Sequence, residues 1–460
     1  MSKNKLAEEK YDTMSLNAIC FDRRAPIEKR IPSKIKVHGM WYYAGCMFYA
    51  IIRECFKILL RFPIKQWFAN WNYYKQIYDN NIVFVVPTWN NQQALKKTIN
   101  FVKERRQNVV VLDNIGFYKS IPRIYVLFYS IIKLGSLLRS ISDLSAEDKR
   151  IVGYYPDVFL LASGTTKCYS KLLKRFRPEC MVIGNDHVYD RKALTLLCED
   201  YGINTVYCQH ASVSYAFPEL HFAYSFLDGR DSFEKYTAEG KKCAGKVILL
   251  GALRYDKLSE YRVRRKSGKR NCIGISINLI DDIDIVNELC LRLLEDMNVD
   301  IKIRSHPSMK KRPNNLIIDD RLVYLCATDE SMIDYLDSID IQISGDSGVH
   351  LDALIGGAPT LAYNFTTGVF GDNYKYVERG LVRYALNCNE VINLIHSIDI
   401  TSNVSSIRYY DESYGKSYAG HCSEIVASFV VSGCNFNGLM DENHFEGKAI
   451  NGSLCYVVRD

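Results

Sequence analysis

Short, unbroken runs of apolar and β-branched residues, separated by helical spacing, recur along this chain and constrain its fold more than any other feature. The first series is IVFVVPTW (82–89), NVVVLDN (108–114), CMVIGND (180–186), NTVYCQH (204–210), HFAYSFLD (221–228) and KVILLGA (246–252). A strand with one wet face alternates apolar and polar residues, whereas a strand covered by helices on both faces does not, so these runs predict parallel strands. A second series follows: CIGISIN (272–278), IKIRSH (301–306), RLVYLCA (321–327), IDIQIS (339–344) and PTLAYNF (359–365), with helices over about 282–298 and 391–398. The expected fold is α/β, two doubly wound Rossmann-like domains facing a cleft, and 460 residues suffice for two cores.

The boundaries follow from composition. Residues 1–79 form a basic, aromatic amino-terminal segment, 80–260 the first α/β domain, and 261–416 the second, which opens on the charged stretch YRVRRKSGKR (261–270). The segment 417–433 reads as a closing helix, and the tail to 460 shows no period. Fifteen cysteines without a CxxC pair point to reduced thiols in a reducing compartment and to no zinc site. The opening MSKNKLAEEKYD has no apolar core, so no secretory leader is expected.

Charge is unevenly placed. Residues 1–79 hold fourteen Lys/Arg against seven Asp/Glu, a balance equal to the +7 of the whole chain. Within them, GMWYYAGCMFYAIIRECFKILLRFPIKQWF (39–68) carries Arg53, Lys57, Arg61 and Lys65 at every fourth position, on one helical face. Its uncharged part, 39–52, falls short of the roughly 20 residues that span a bilayer. The expectation is a helix lying in the interface, its basic stripe toward anionic headgroups and Trp41, Trp67 and Trp71 at headgroup depth. The plainer alternative is a helix packed on the main domain with snorkelling cations. A second apolar run, IPRIYVLFYSIIKLGSLLRSI (121–141), has the same character.

Two short pieces of the second domain carry chemistry. In IKIRSHPSMKK the strand pattern stops at His306-Pro307, because proline cannot donate to a ladder, and the imidazole is left at a strand's carboxyl end. Some 40 residues on, Ser344-Gly345-Asp346-Ser347-Gly348 forms a turn of small residues between a strand and a helix, suited to bringing N–H groups against an anion. Helix capping by Asp346 or Ser347 is the competing explanation of that turn. Asp352 lies one turn into the helix, placed to accept from ribose hydroxyls if a nucleotide phosphate sits on the turn. Arg254, in Gly251-Ala252-Leu253-Arg254-Tyr255-Asp256, either reaches a phosphate or pairs with Asp256. In the first domain His210 ends a strand and suits removal of a hydroxyl proton near pH 7. Asp186, in Asn185-Asp186-His187, is the competing base, and Asp190 reads as a helix cap.

In this order, the motifs resemble those of GT-B-fold transferases that build bacterial surface polymers: polysialyltransferase-like capsule enzymes and CDP-glycerol glycerophosphotransferases of teichoic-acid synthesis. The resemblance rests on His210, Gly251/Arg254/Asp256, His306-Pro307, and Ser344 to Ser347 with Asp352, and covers about residues 180–365. It implies a cytidine-nucleotide donor, CMP- or CDP-linked, with His306 and Ser347 on its phosphate, Asp352 on its ribose and His210 as acceptor base. The chain departs from the glycerophosphotransferases in having Ala211-Ser212-Val213 where they carry Gly-Thr-Pro. It departs from the polysialyltransferases in offering only Asn185-Asp186-His187 and Leu227-Asp228-Gly229 for their carboxylate-carboxylate-Gly motif. The expected activity is metal-independent transfer of a sugar, or of a polyol phosphate, to a cell-surface polysaccharide or lipid-linked glycan. The expected location is peripheral, on the inner face of the cytoplasmic membrane, with no cofactor beyond the donor and no nucleic-acid partner. The rivals are a nucleotide-sugar 2-epimerase, whose His-Arg-Glu-Asn signature is not seen, and a non-catalytic glycan-binding scaffold.

Overall fold

The computed structural model describes residues 38–61, 70–113, 121–185, 188–213, 215, 217–264, 271–309, 311–397, 404–435, 445–450 and 452–458. The chain divides into two compact units, one comprising Met1–Leu227, Asp231–Leu253 and Ser423–Arg459, the other Asp228–Arg230 and Arg254–Cys422.

In the first unit the six expected runs form β1 (Ile82–Val85), β2 (Val109–Leu112), β3 (Cys180–Ile183), β4 (Asn204–Cys208), β5 (Tyr224–Leu227) and β6 (Lys246–Leu249). They pair in parallel in the order β2-β1-β3-β4-β5-β6. β1 and β3 are buried at every position, the burial that their continuous apolar runs demand. The order reverses between β1 and β3, where Asn91 Nδ2 donates to the Gly184 carbonyl over 2.9 Å.

The second unit holds β7 (Cys272–Ile277), β8 (Asp300–Ser305), β9 (Leu322–Cys326), β10 (Ile341–Ser344), β11 (Thr360–Tyr363) and β12 (Arg383–Ala385), all parallel, in the order β9-β8-β7-β10-β11-β12. This is the dinucleotide-fold order, and its switch point lies between β7 and β10. The tail without a period supplies β13 (Phe445–Ile450) and β14 (Ser453–Val458), an antiparallel hairpin whose β14 joins β6 and so extends the first sheet to eight strands.

Helices α1 (Met40–Arg61), α2 (Arg123–Ile132), α3 (Leu134–Ser142) and α4 (Pro156–Arg175) pack together in the first unit. Tyr43, Met47, Ala50 and Ile58 of α1 share a core with Leu127, Leu137, Phe159 and Leu160. Gly164 lets α4 approach α2 closely, since a Cβ there would overlap the Val126 carbonyl and the Ser130 hydroxyl.

Where it is described, the basic stripe is partly exposed but ion-paired and not free. Arg53 and Lys57 both pair with Asp157 in the first turn of α4, Lys57 at 3.2 Å, and Lys57 also meets Glu54. Burial alone would raise the Asp157 pKa, but Lys57 and Arg53 outweigh it and hold the carboxylate below its ordinary value. Trp71 is likewise packed, against Phe176 with the Arg175 guanidinium 4.7 Å above its ring, rather than free at headgroup depth. The Arg61 side chain, Lys65 and Trp67 lie outside the described residues. No single described helix is long and apolar enough to cross a membrane; α2 and α3 pass together by length and composition but are bent by 61°.

Candidate nucleotide site at the switch point of the second sheet

β8, β7 and β10 are adjacent, and their carboxyl ends deliver His306, the loop 278–282 and the turn 344–348 to one edge. Register places Ser276 opposite Ser344 and Ile277 opposite Ser305, so His306 stands two strand spacings, roughly 10 Å, from the turn. The His306 backbone N–H donates to the Ile277 carbonyl over 2.9 Å. Its Nδ1 accepts from the Ser308 N–H over 3.1 Å, which leaves the proton on Nε2, and the ring is exposed. Partial burial lowers the His306 pKa, so the neutral ring offers an Nε2–H donor at pH 7.

The turn is built differently from its sequence reading. Ser344 is the buried end of β10, and its hydroxyl donates to the Ser276 carbonyl over 2.9 Å, so it belongs to the sheet and not to a ligand. Asp346 does not cap the helix that follows, α5 (Val349–Ile355); its Oδ2 accepts from the Asn373 N–H over 2.9 Å and from the Asn373 amide, clamping the loop after β11. Ser347 Oγ accepts from the Val349 N–H over a long 3.4 Å, and the cap position, Gly348, has no side-chain bond. Among the described residues the N–H groups of Asp346, Ser347 and Gly348 have no hydrogen-bond acceptor. Successive N–H groups of this kind form an anion-binding concavity. α5 has only seven residues, so these groups, more than any long helix dipole, are what it offers an anion.

His350, absent from the sequence reading, holds the turn. Its Nε2 donates to the Gly345 carbonyl over 2.9 Å, and its Nδ1 accepts from the Thr360 hydroxyl over 2.6 Å, all in the buried interior. Burial lowers its pKa to about 4 despite the carbonyl contact. An unfolded histidine titrates near 6.5, so the native state binds fewer protons between about pH 6.5 and 4. The stability share is therefore whole above that window and is lost as pH falls through it. His350→Ala is expected to lower stability by about 1–3 kcal/mol at pH near 7.5, the cost of two stranded buried partners, and to weaken nucleotide binding. His350→Gln should restore part of both and flatten the decline of Tm between about pH 6.5 and 5, measured against wild type.

Two further groups border the turn. Asp281 accepts from the Asn278 N–H over 2.6 Å, and its Oδ1 would lie 3.6 Å from a Cβ on Gly345; burial raises its pKa to about 6 against that hydrogen bond. The Tyr374 hydroxyl would lie 4.0 Å from a Cβ on Gly348, and its ring stacks on Tyr376.

Arg254 and Asp352 enter a second polar cluster of the same unit. Arg254 pairs with Asp228 at 2.7 Å, not with Asp256, whose Oδ1 accepts from the Cys422 N–H over 3.0 Å. Asp352 accepts from the Tyr255 hydroxyl; burial raises its pKa, and Tyr255, Arg254 and Arg304 limit the rise. Its hydrogen bond is with Tyr255, and the two arginines act on it through their charge. Asp411, bonded by Ser413, lies in the same cluster, its pKa raised to about 7 by burial.

In the first unit, His210 follows β4, where Gln209 fixes the turn by donating from its backbone to Phe226 (3.1 Å) and from Nε2 to Ala211 (2.9 Å). Asp186 lies outside the described residues. Asp190 is not the cap of its helix, which begins after Val188; it accepts from the Arg191 N–H and pairs with the Arg191 guanidinium at 2.7 Å.

No protein-family model matches the sequence, and no curated protein matches it. Solved structures similar to the chain include UDP-GlcNAc 2-epimerase from Neisseria meningitidis bound to UDP-GlcNAc, at 14% identity and TM-score 0.46 over 76% of this chain and 100% of that one. MurG from Acinetobacter baumannii is similar at 11% identity and TM-score 0.40, over 77% and 99%. The wall teichoic acid polymerase TagF is similar at 12% identity and TM-score 0.44, over 84% and 97%. The likeness is one of fold: two Rossmann-like parallel-sheet units.

Proposed function

We propose that this protein is a glycosyltransferase that moves a sugar from a nucleotide-activated donor, a CMP- or CDP-linked one, to a surface polysaccharide or lipid-linked glycan at the inner face of the cytoplasmic membrane. The observation that carries the reading is the set of donors along one sheet edge: three N–H groups of Asp346 to Gly348 without an internal acceptor among the described residues at the β7/β10 switch point, and the His306 Nε2–H at the end of β8, roughly 10 Å away. Such donors favour a phosphate more strongly as it gains charge on leaving, so they lower the barrier and not merely the ground state. In the step itself an acceptor hydroxyl oxygen bonds to the anomeric carbon, the bond from that carbon to the donor phosphate breaks, and its electron pair leaves with the nucleotide. His210 takes the hydroxyl proton, with Asp186 as the competing base. The leaving charge is met in this account by N–H donors rather than by a metal ion. Transfer of a polyol phosphate from a CDP-polyol would use the same donors on the departing CMP.

Thermal shift against CMP, CDP, UDP and GDP tests the donor. Cytidine nucleotides are expected to raise Tm most, and His306→Ala to reduce the rise. An equal rise with all four overturns the cytidine assignment, and no rise with any of them overturns the site.

A further inference from the structure

We propose that α1, with the adjoining end of α2, docks on the membrane by seating an uncharged face in the hydrocarbon border of the bilayer. The most exposed positions of α1 between Trp41 and Leu60 are uncharged, and they recur at helical spacing. Trp41 is 92% exposed, Phe48 66%, Phe56 59% and Leu60 80%. A helix of 22 residues carries such a face over about 33 Å. Phe128, Ile131 and Ile132 at the end of α2 are exposed as well.

The charges nearest this face flank it and are paired: the Arg53 and Lys57 side chains, 35% and 31% exposed, both reach Asp157. Arg53, Lys57, Glu54 and Asp157 form a network of two cations and two anions where α1 meets α4, so the described charge of this part of the helix is compensated inside the protein. A ridge of exposed apolar and aromatic side chains flanked by cations whose charge is already compensated suits the border between hydrocarbon and headgroups, whereas a protein partner would meet a rim of unpaired polar and charged groups. Exposed large apolar side chains gathered on one helix, Trp41, Phe48, Tyr49, Phe56, Leu59 and Leu60, are the kind of surface that marks an interaction site. A groove of about 380 Å³ beside it, lined by Trp41, Tyr49, Tyr154 and Pro156 with the paired Arg53 at its border, continues the aromatic surface. The described cations face Asp157, so insertion replaces the electrostatic attraction that the basic stripe suggested. This rests on the membrane site of action proposed above. Its test uses neither donor nor acceptor, so its failure leaves the transfer reading intact and the reverse also holds.

The full chain is cosedimented with phosphatidylcholine vesicles, and with vesicles containing phosphatidylglycerol, at about 0.1 M and about 1 M salt, where the Debye length shrinks to about 3 Å. Comparable binding to both, retained at high salt, is expected. Phe48→Asp with Phe56→Asp should lower the bound fraction more than about tenfold, two large apolar side chains having lost their burial. The Tm of that variant, measured without nucleotide, should stay within a few degrees of wild type, which separates loss of docking from loss of fold. Binding that needs anionic lipid and vanishes at high salt overturns insertion. So does the absence of vesicle binding, whether the chain is a monomer or a dimer that the double variant dissociates, the dimer assigning the face to a second copy.

Discussion

His306→Ala is expected to lower kcat for transfer by about 10²–10³-fold, the scale for one donor aimed at developing charge, while donor affinity falls less. The asymmetry follows from the chemistry, because a phosphate that leaves gains charge and so strengthens its bond to Nε2–H in the transition state. The His306 ring acts as a neutral donor, since partial burial lowers its pKa and Nδ1 is engaged by Ser308. His306→Gln, which also presents an N–H, should therefore recover part of the loss. Steady-state rates with saturating acceptor decide this, and activity within about threefold of wild type would remove His306 from the site.

His210→Ala is expected to lower turnover by about 10²-fold or more and to leave nucleotide binding unchanged. His210 stands at the carboxyl end of β4 in the first unit, whereas His306 and the turn 345–348 belong to the second, so the two variants should separate acceptor activation from donor binding. Single-turnover rates beside nucleotide titrations measure the split. If Asp186→Asn produces the loss and His210→Ala does not, the carboxylate is the base.

Strand positions were legible because burial on both faces leaves an unbroken apolar run, as in Ile82–Val85 and Cys180–Ile183. His306 was legible because proline marks the point at which a strand must stop. What a side chain does at such a point was less so. Ser344 and Ser347 look alike in sequence, yet register puts the first hydroxyl on the Ser276 carbonyl and leaves the second on the turn. Arg254 has Asp256 two residues away but pairs with Asp228, which the chain brings back from 26 residues earlier. Periodicity correctly put Arg53 and Lys57 on one face of α1; only the tertiary position of Asp157 decided that both cations are paired. His350 gave no signal, because a buried histidine between a carbonyl and a hydroxyl is defined by partners five and ten residues away. The hairpin β13–β14 depends on pairing with β6, some 200 residues earlier, and its own segments alternate too weakly to show it.

If the donors along the carboxyl edge of β7, β8 and β10 serve transfer from a cytidine-activated sugar, release of free cytidine nucleotide, measured with and without a glycan acceptor, should depend on the acceptor and match product mole for mole. Turnover of the donor without acceptor would instead fit an epimerase or hydrolase, and nucleotide bound but never released, with any acceptor, would contradict transfer altogether.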